Sequence, residues 1–396
     1  MKRFICVLLL ICMIFVACDI GNEDNAKLAI IDISNASNLF IAPASNSRTA
    51  RNSGEDKLFK ITEDGYIQEV SYYDENGKKT TDIQTPSSIH NVNDDYVIIC
   101  FDYNRNGYLT RKSDGAVFAL PAGSIPGWNN NYKNSKDIQT DNNGGIYYIE
   151  GTYSQHPGYV TKLNVSNPNT IIKTDYLPPG DRAYAFAVNP EGHIVYNASG
   201  SIRRIKMSNG GLQNIFRPGG SGYGNFYTDL NGNIRSSKTI YTIDSEFNLI
   251  TSEIQLPDGV SIGGRYLFYF SKNVFVMSEG GYSEIEGDNP RYVSLPIRNI
   301  KNAEKSDSFI YVSGYNDSYQ PALLKVDPFI DDYQYIFEPN LYDVYSFSVS
   351  DDDVITFTAL RMNDGAKVIG SVLSTNEITI LSTEFNTESI ILERID

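Results

Sequence analysis

The chain has 396 residues, with 48 Asp and Glu against 33 Lys and Arg and a formal net charge of −15. That balance repels nucleic acid and anionic headgroups, and no run of Lys or Arg offers a phosphate footprint, so no nucleic-acid partner is expected. The Lys301–Lys305 stretch is interrupted by Glu304 and reads as a solvated loop. The length suffices for one large all-β domain or two smaller ones.

Residues 1–17 read as a signal peptide. Lys2 and Arg3 precede an apolar run from Phe4 to Val16, which falls short of the ~20 apolar residues of a spanning helix. The ending Val16-Ala17-Cys18 resembles the lipobox of bacterial lipoproteins. The resemblance implies export, cleavage before Cys18, acylation of its thiol and anchoring to a bacterial membrane on a periplasmic or cell-surface face. No later run is long and apolar enough to span, so attachment would rest on the lipid. Cys6 and Cys12 would leave with the signal, and Cys100, within YVIICF, would remain as a buried small hydrophobe in a body without internal disulfides.

Residues 18–56 are rich in Asn, Ser, Ala and acids and read as a lipidated N-terminus and flexible tether. The apolar pieces LAIIDI and LFIAP interrupt this stretch, and LAIIDI could instead add an outer strand to the main sheets.

From residue 57 to 396 the texture is that of strands and turns. Short runs of Tyr, Ile, Val, Phe and Thr are broken by Asn-Gly, Asp-Gly and Gly-Gly. After a leading hairpin at 58–70, hairpin-like elements pair off along the chain: 90–101 with 108–120, 137–149 with 159–174, 185–197 with 202–216, and 226–237 with 240–254. The series continues with a degraded element at 261–270 and the hairpin 274–285, then 301–314 with 322–337 and 347–358 with 368–381. Each pair occupies about 33 to 50 residues. Two hairpins per unit make the four-stranded blade of a β-propeller, whose faces are buried only by neighbouring blades. The rhythm is similar to that of bacterial propellers of the NHL, TolB-like or PQQ-like kind, and carries no signature of one subfamily. Eight blades result if the strand-like ESIILERI (388–395) pairs with the leading hairpin, and seven if that hairpin is peripheral. Two β-sandwich domains are the alternative fold.

Candidate chemistry is sparse. Asp102, Asn104 and Asn106, followed by Gly107, match the start of a calcium loop. One carboxylate and two amides are a poor charge count for Ca²⁺, so the ordinary reading is a polar turn and no cofactor is expected. Asp141–Gly145, Asp229–Gly232 and Asp351–Asp353 recur at equivalent hairpin positions, as structural turns do, and the last cluster reads as solvated. Gly219–Gly224 is glycine-rich but lacks the Lys-Ser/Thr of a phosphate loop. His90, His156 and His193 have no ligand spacing. Trp128, the only tryptophan, lies with Tyr132 in a long polar stretch and could form an aromatic platform for a sugar or peptide; the alternative is that Trp128 packs over the core.

These features point to an envelope-anchored lipoprotein whose propeller binds a protein, peptide or glycan. The rival is a glycan-active hydrolase or lyase with a site at the propeller axis, which fold alone does not decide.

Overall fold

The structure, a computed structural model, describes residues 28–43, 56–80, 85–101, 106–121, 126, 138–150, 159–167, 170–175, 183–198, 203–215, 226–236, 239–253, 255–260, 266–375 and 377–395. Among them are eight four-stranded antiparallel sheets and one three-stranded sheet. The four-stranded sheets are blade 1 (36–69 with 393–394) and, in chain order, blades 2 to 8 (86–119, 138–175, 183–215, 226–253, 266–294, 298–335 and 342–382). The protein is an all-β propeller, and the two-sandwich alternative is excluded.

Blade 2 shows how the sequence builds each unit. Its strands are Pro86–Asn91, Tyr96–Phe101, Asn106–Arg111 and Val117–Ala119, hydrogen-bonded in chain order. The second strand, YVIICF, is apolar throughout because both of its faces are covered. Val97, Ile99 and Phe101 pack with Leu39 and Leu58 of blade 1, while Ile98 and Cys100 pack with Ile138, Ile146 and Tyr148 of blade 3. Side chains alternate across a strand, so a strand between two neighbouring sheets needs apolar residues at every position. Outermost strands lose this constraint, as Leu249–Glu253 of blade 5 does with four exposed residues.

Ring closure settles the blade count. The strand Glu393–Arg394 pairs with Ala36–Pro43, which pairs with Asp56–Thr62 and then Ile67–Glu69. Blade 1 is therefore built from the C-terminal strand on the inside and three N-terminal strands outside it. This is the eight-bladed alternative, but the C-terminal strand pairs with Ala36–Pro43 and shares a sheet with the leading hairpin only through that strand.

Residues 28–43, expected within the tether, are mostly strand. Ala36–Pro43 supplies the second strand of blade 1, with Leu39, Phe40 and Ala42 buried. Leu28–Ile31 joins Tyr72–Asp74 and Lys79–Thr80 in the three-stranded sheet, and the Ile31 amide donates to the Gly115 carbonyl at 2.9 Å. LAIIDI thus provides an outer strand. Burial of these apolar residues outweighs the polar composition around them. In blade 6 the hairpin at 274–285 is the second and third strands rather than an outer pair, and Tyr266–Phe270 is a full first strand.

The inner strands present one unpaired backbone edge to the axis, and side chains from neighbouring blades satisfy it. The Gln139 amide donates to the Phe186 carbonyl at 3.1 Å and accepts from the Val188 amide at 2.8 Å. Asn302 donates to the Phe347 carbonyl at 3.2 Å, and Arg394 to the Val349 carbonyl at 2.7 Å. Glu393 accepts from the Asn91 amide at 2.8 Å, joining blades 1 and 2.

Candidate functional site

Each antiparallel blade has two ends. One carries the turns between first and second and between third and fourth strands, here the turn end. The other carries the second-to-third turns and the links between blades, here the link end.

The acidic turns of the turn end are structural. Asp141 Oδ1 accepts from the amides of Asn143 at 2.9 Å and Gly145 at 2.8 Å. Its Oδ2 accepts from the Tyr147 hydroxyl at 2.6 Å and pairs with Lys162 at 3.1 Å. Burial alone would raise the pKa of this carboxyl; the Tyr147, Gly145 and Lys162 donors together outweigh it and hold the pKa below the usual range. Asp229 repeats the turn in blade 5 and pairs with Arg235 at 3.0 Å, which also meets Glu286 of blade 6 at 3.2 Å. Asp353, expected to be solvated, pairs with Lys325 of blade 7 at 2.8 Å. Asp351 pairs with Arg394 at 3.1 Å. Lys162 and Arg235 come from the same blade as their carboxylates, while a neighbouring blade brings Lys325 and Arg394 within reach, which linear sequence does not display.

Two histidines serve packing. His90 is buried beside Ser88, with Nε2 3.0 Å from its hydroxyl, and burial lowers its pKa to about 4. His193 Nδ1 accepts from the Ser208 amide at 2.9 Å, and burial lowers its pKa. Burial pushes the Cys100 thiol up to about 12, which suits an inert core residue.

Cys18, Asp102, Asn104, His156, Trp128, Tyr132 and Gly219–Gly224 lie outside the described residues, and of Asn106 only its place at the start of a strand is described. Among the described residues no group of three or more His, Cys, Asp or Glu is placed to hold a metal ion, and no helix is long and apolar enough to cross a membrane.

The link end of blades 7 and 8 holds a cluster that sequence reasoning missed. Lys301 lies in the first strand of blade 7, Arg298–Lys305, and not in a solvated loop. The strand's pairing with Ile310–Tyr315 slips between Arg298 and Asn302, with Asn299 at φ 48°. Gly314 allows this, since a Cβ there would lie 2.7 Å from the Arg298 carbonyl oxygen. In blade 8 the strand Tyr342–Val349 bulges between Val344 and Ser346, leaving Tyr345 as the unpaired residue. The two bulges bring one constellation together. The Lys301 ammonium pairs with Asp343 and lies 4.7 Å from the Tyr315 ring centroid and 5.7 Å from that of Tyr345. The Tyr266 hydroxyl donates to the Lys301 carbonyl at 3.0 Å and fixes the bulge from blade 6.

Burial raises the Tyr345 pKa, and the carboxylates of Glu388 and Asp343 add to it. Its phenol is therefore a neutral donor at ordinary pH. Lys367 reaches Asn386 at 2.6 Å and Glu388 at 3.0 Å in the link that leaves blade 8. The cluster combines aromatic faces, two ammonium groups, two carboxylates and a phenol, the donors and acceptors of polar recognition. The missing sequence signal was the bulge: Lys301 and Tyr345 break the strict alternation of their strands, but an inserted residue leaves no mark on composition.

No protein-family model matches the chain, and no curated protein matches it in sequence. Among solved structures it is similar to Porphyromonas gingivalis dipeptidyl peptidase 4, with a TM-score of 0.53 and 8% identity over 75% of this chain and 53% of the peptidase. It is also similar to a streptogramin B lyase, with a TM-score of 0.42 and 11% identity over 75% of this chain and 94% of the lyase. A Mycobacterium tuberculosis puromycin-hydrolyzing peptidase gives a TM-score of 0.43 and 13% identity over 77% of this chain and 53% of that one. The chain thus spans about half the length of the two peptidases. At these identities the likeness concerns the fold alone, and the propeller neighbours are compatible with a binding module or an enzyme.

Proposed function

We propose that the chain is a lipoprotein anchored through Cys18, and that its propeller works by binding a protein, peptide or glycan at the link end of the ring. The observation that carries the reading is the paired bulge at Lys301 and Tyr345. Bulges re-aim side chains at sheet edges and sites, and here two of them gather aromatic faces and charged groups from adjacent blades. The inter-blade bonds along the axis hold those strands, which supports recognition by a preorganised surface. The basic start, apolar run and Val16-Ala17-Cys18 ending support the address. Because strands begin at Leu28, the span between Cys18 and the ring is shorter than composition suggests.

The test uses the full mature chain, purified in detergent, on glycan and peptide arrays. A fragment starting at residue 50 would lack the strand Ala36–Pro43 and unmake blade 1. Binding should fall about tenfold or more in Lys301→Met and Tyr345→Ala, and less in Tyr345→Phe, with circular dichroism unchanged. Binding indifferent to all three variants refutes the site, and turnover of the bound molecule refutes a purely binding role. Mass spectrometry of the mature N-terminus checks the anchor, and any terminus other than acylated Cys18 overturns it.

A further inference from the structure

Third-to-fourth-strand turns in this ring mostly use polar and glycine-rich chemistry. Blades 1, 2 and 4 place Asp64-Gly65, Asp114-Gly115 and Asn209-Gly210 there. Blade 5 places a single aromatic, Phe247, whose ring packs on His193. Blade 7 departs from the rule. Between the strands Pro321–Asp327 and Asp332–Tyr335 its turn is Pro328-Phe329-Ile330-Asp331. Phe329 is 48% exposed and Ile330 71% exposed, with exposed Tyr333 on the adjoining strand. Ile330 at the turn tip costs solvation and gives the turn nothing that a polar turn residue would not give better, and Phe329 beside it stays half exposed.

The tip is also held in place. Arg291, from the outermost strand of blade 6, grips Asp331 through two bonds of 3.0 and 2.6 Å and donates to the Pro328 carbonyl at 3.1 Å. The Tyr282 hydroxyl donates to Asp331 at 2.9 Å. Asp331 adopts φ 58°, the left-handed conformation that glycine takes in blades 1, 2 and 4. The Phe329 ring packs edge-on against Phe270 and Phe275 of blade 6, at 5.4 and 5.8 Å, which points Ile330 outward from a fixed base.

The charge around the tip is negative on balance. The Arg291 guanidinium is shared between Asp331 and Glu284. The hairpin's own cation, Lys325, is engaged by Asp353, and the hairpin adds the further acids Asp327 and Asp332. Lys305 lies inward, over the Phe270 ring at 5.2 Å. An apolar projection inside a negative field is matched by an apolar pocket inside a positive rim, and is repelled by an anionic lipid surface or by a second copy of this acidic chain.

We infer that the Phe329–Ile330 tip is a docking anchor that inserts into an apolar pocket rimmed by Lys or Arg on a partner protein. It lies at the turn end and does not depend on the link-end reading.

The test places a photo-crosslinking benzoylphenylalanine at position 330 of the full chain in the cells that make it. Matched probes go at Tyr66 and Leu230, which are 67% and 41% exposed at turn-end turns of blades 1 and 5. The expected result is one protein adduct from position 330 and none from the other two. The partner, identified from that adduct and purified, should bind the native chain with an affinity that falls about tenfold in Ile330→Ser. Association should slow with added salt and in Asp332→Asn. Ile330 bears little of the packing, so its variant keeps the fold, and Phe329→Ser serves as the second variant. The inference is overturned by no adduct, by an adduct to lipid or to the chain itself, or by equal adducts at all three positions. A partner indifferent to Ile330→Ser overturns it as well. Tyr345→Ala should leave this binding unchanged, so failure here and failure of the link-end site are read separately.

Discussion

Removing residues 393–396 should open the ring. The deletion takes away Ile395, buried against Leu39, Leu58 and Val97. Truncating a buried Ile costs about 2 to 5 kcal/mol. It removes the Ile395 amide bond to the Ser37 carbonyl at 3.0 Å and the Glu393 bond to the Asn91 amide at 2.8 Å, each worth roughly 1 kcal/mol. It also strips the Val349 carbonyl of its Arg394 donor at 2.7 Å. The loss is on the order of 5 kcal/mol, against roughly 5 to 15 kcal/mol for a typical domain. Urea unfolding followed by far-ultraviolet circular dichroism should show a midpoint lower by about 1 M or more. Hydrogen exchange should quicken in residues 36–43 of blade 1, at Asn91 of blade 2 and in residues 347–358 of blade 8, the three sheets that the strand ties together. An unchanged midpoint, or faster exchange confined to residues 387–392, would falsify the account of closure.

Other consequences concern titration, close approach and buried charge. His90 has a folded pKa lowered to about 4 against an unfolded value near 6.5, so its contribution is complete above pH 6.5 and is lost as pH falls toward 4. The loss should be about 3 kcal/mol, read as a steeper fall of the urea midpoint over that window in the parent than in His90→Asn. Gly115→Ala should destabilise by more than Gly77→Ala, although both glycines have φ 71°. A Cβ at 115 would lie 2.2 Å from the Ile31 carbonyl oxygen and at 77 would touch nothing, so the second variant shows only the ~1 kcal/mol backbone cost. Equal melting shifts would mean that strand Leu28–Ile31 does not cross blade 2. Asp141→Ala should cost about 3 to 5 kcal/mol, because it removes from a buried site the carboxylate that accepts from the Gly145 amide and the Tyr147 hydroxyl and pairs with Lys162. Asp244→Ala removes the same backbone acceptor from an exposed turn and should move the melting temperature much less.

Much of the fold was legible because the repeat writes two physical rules into each unit. Alternation with turn chemistry marked the hairpins, and an unbroken apolar run such as YVIICF marked a strand covered on both faces. The errors arose where tertiary contact overrode local texture. Ala36–Pro43 sits in a polar stretch, yet the faces of blade 1 bury Leu39 and Phe40. Lys301 and Glu304 read as solvent-facing, yet the start of blade 8 places Asp343 against Lys301. Asp351 and Asp352 are exposed as the triple-Asp turn suggested, but Asp353 is drawn in by Lys325 of the neighbouring blade.

Sequence alone determined the all-β class, the four-stranded unit and the residues that turn each hairpin, because strand alternation and turn conformation are local properties of a few adjacent residues. It left open whether seven or eight blades form. Tertiary structure decided that, through one short pairing between residues 38–39 and 393–394. It also decided which charged groups are paired, and that Lys301 and Tyr345 meet at the link end while Phe329 and Ile330 stand out from the turn end. Those outcomes depend on contacts between distant segments, whose geometry exists only once the ring is closed.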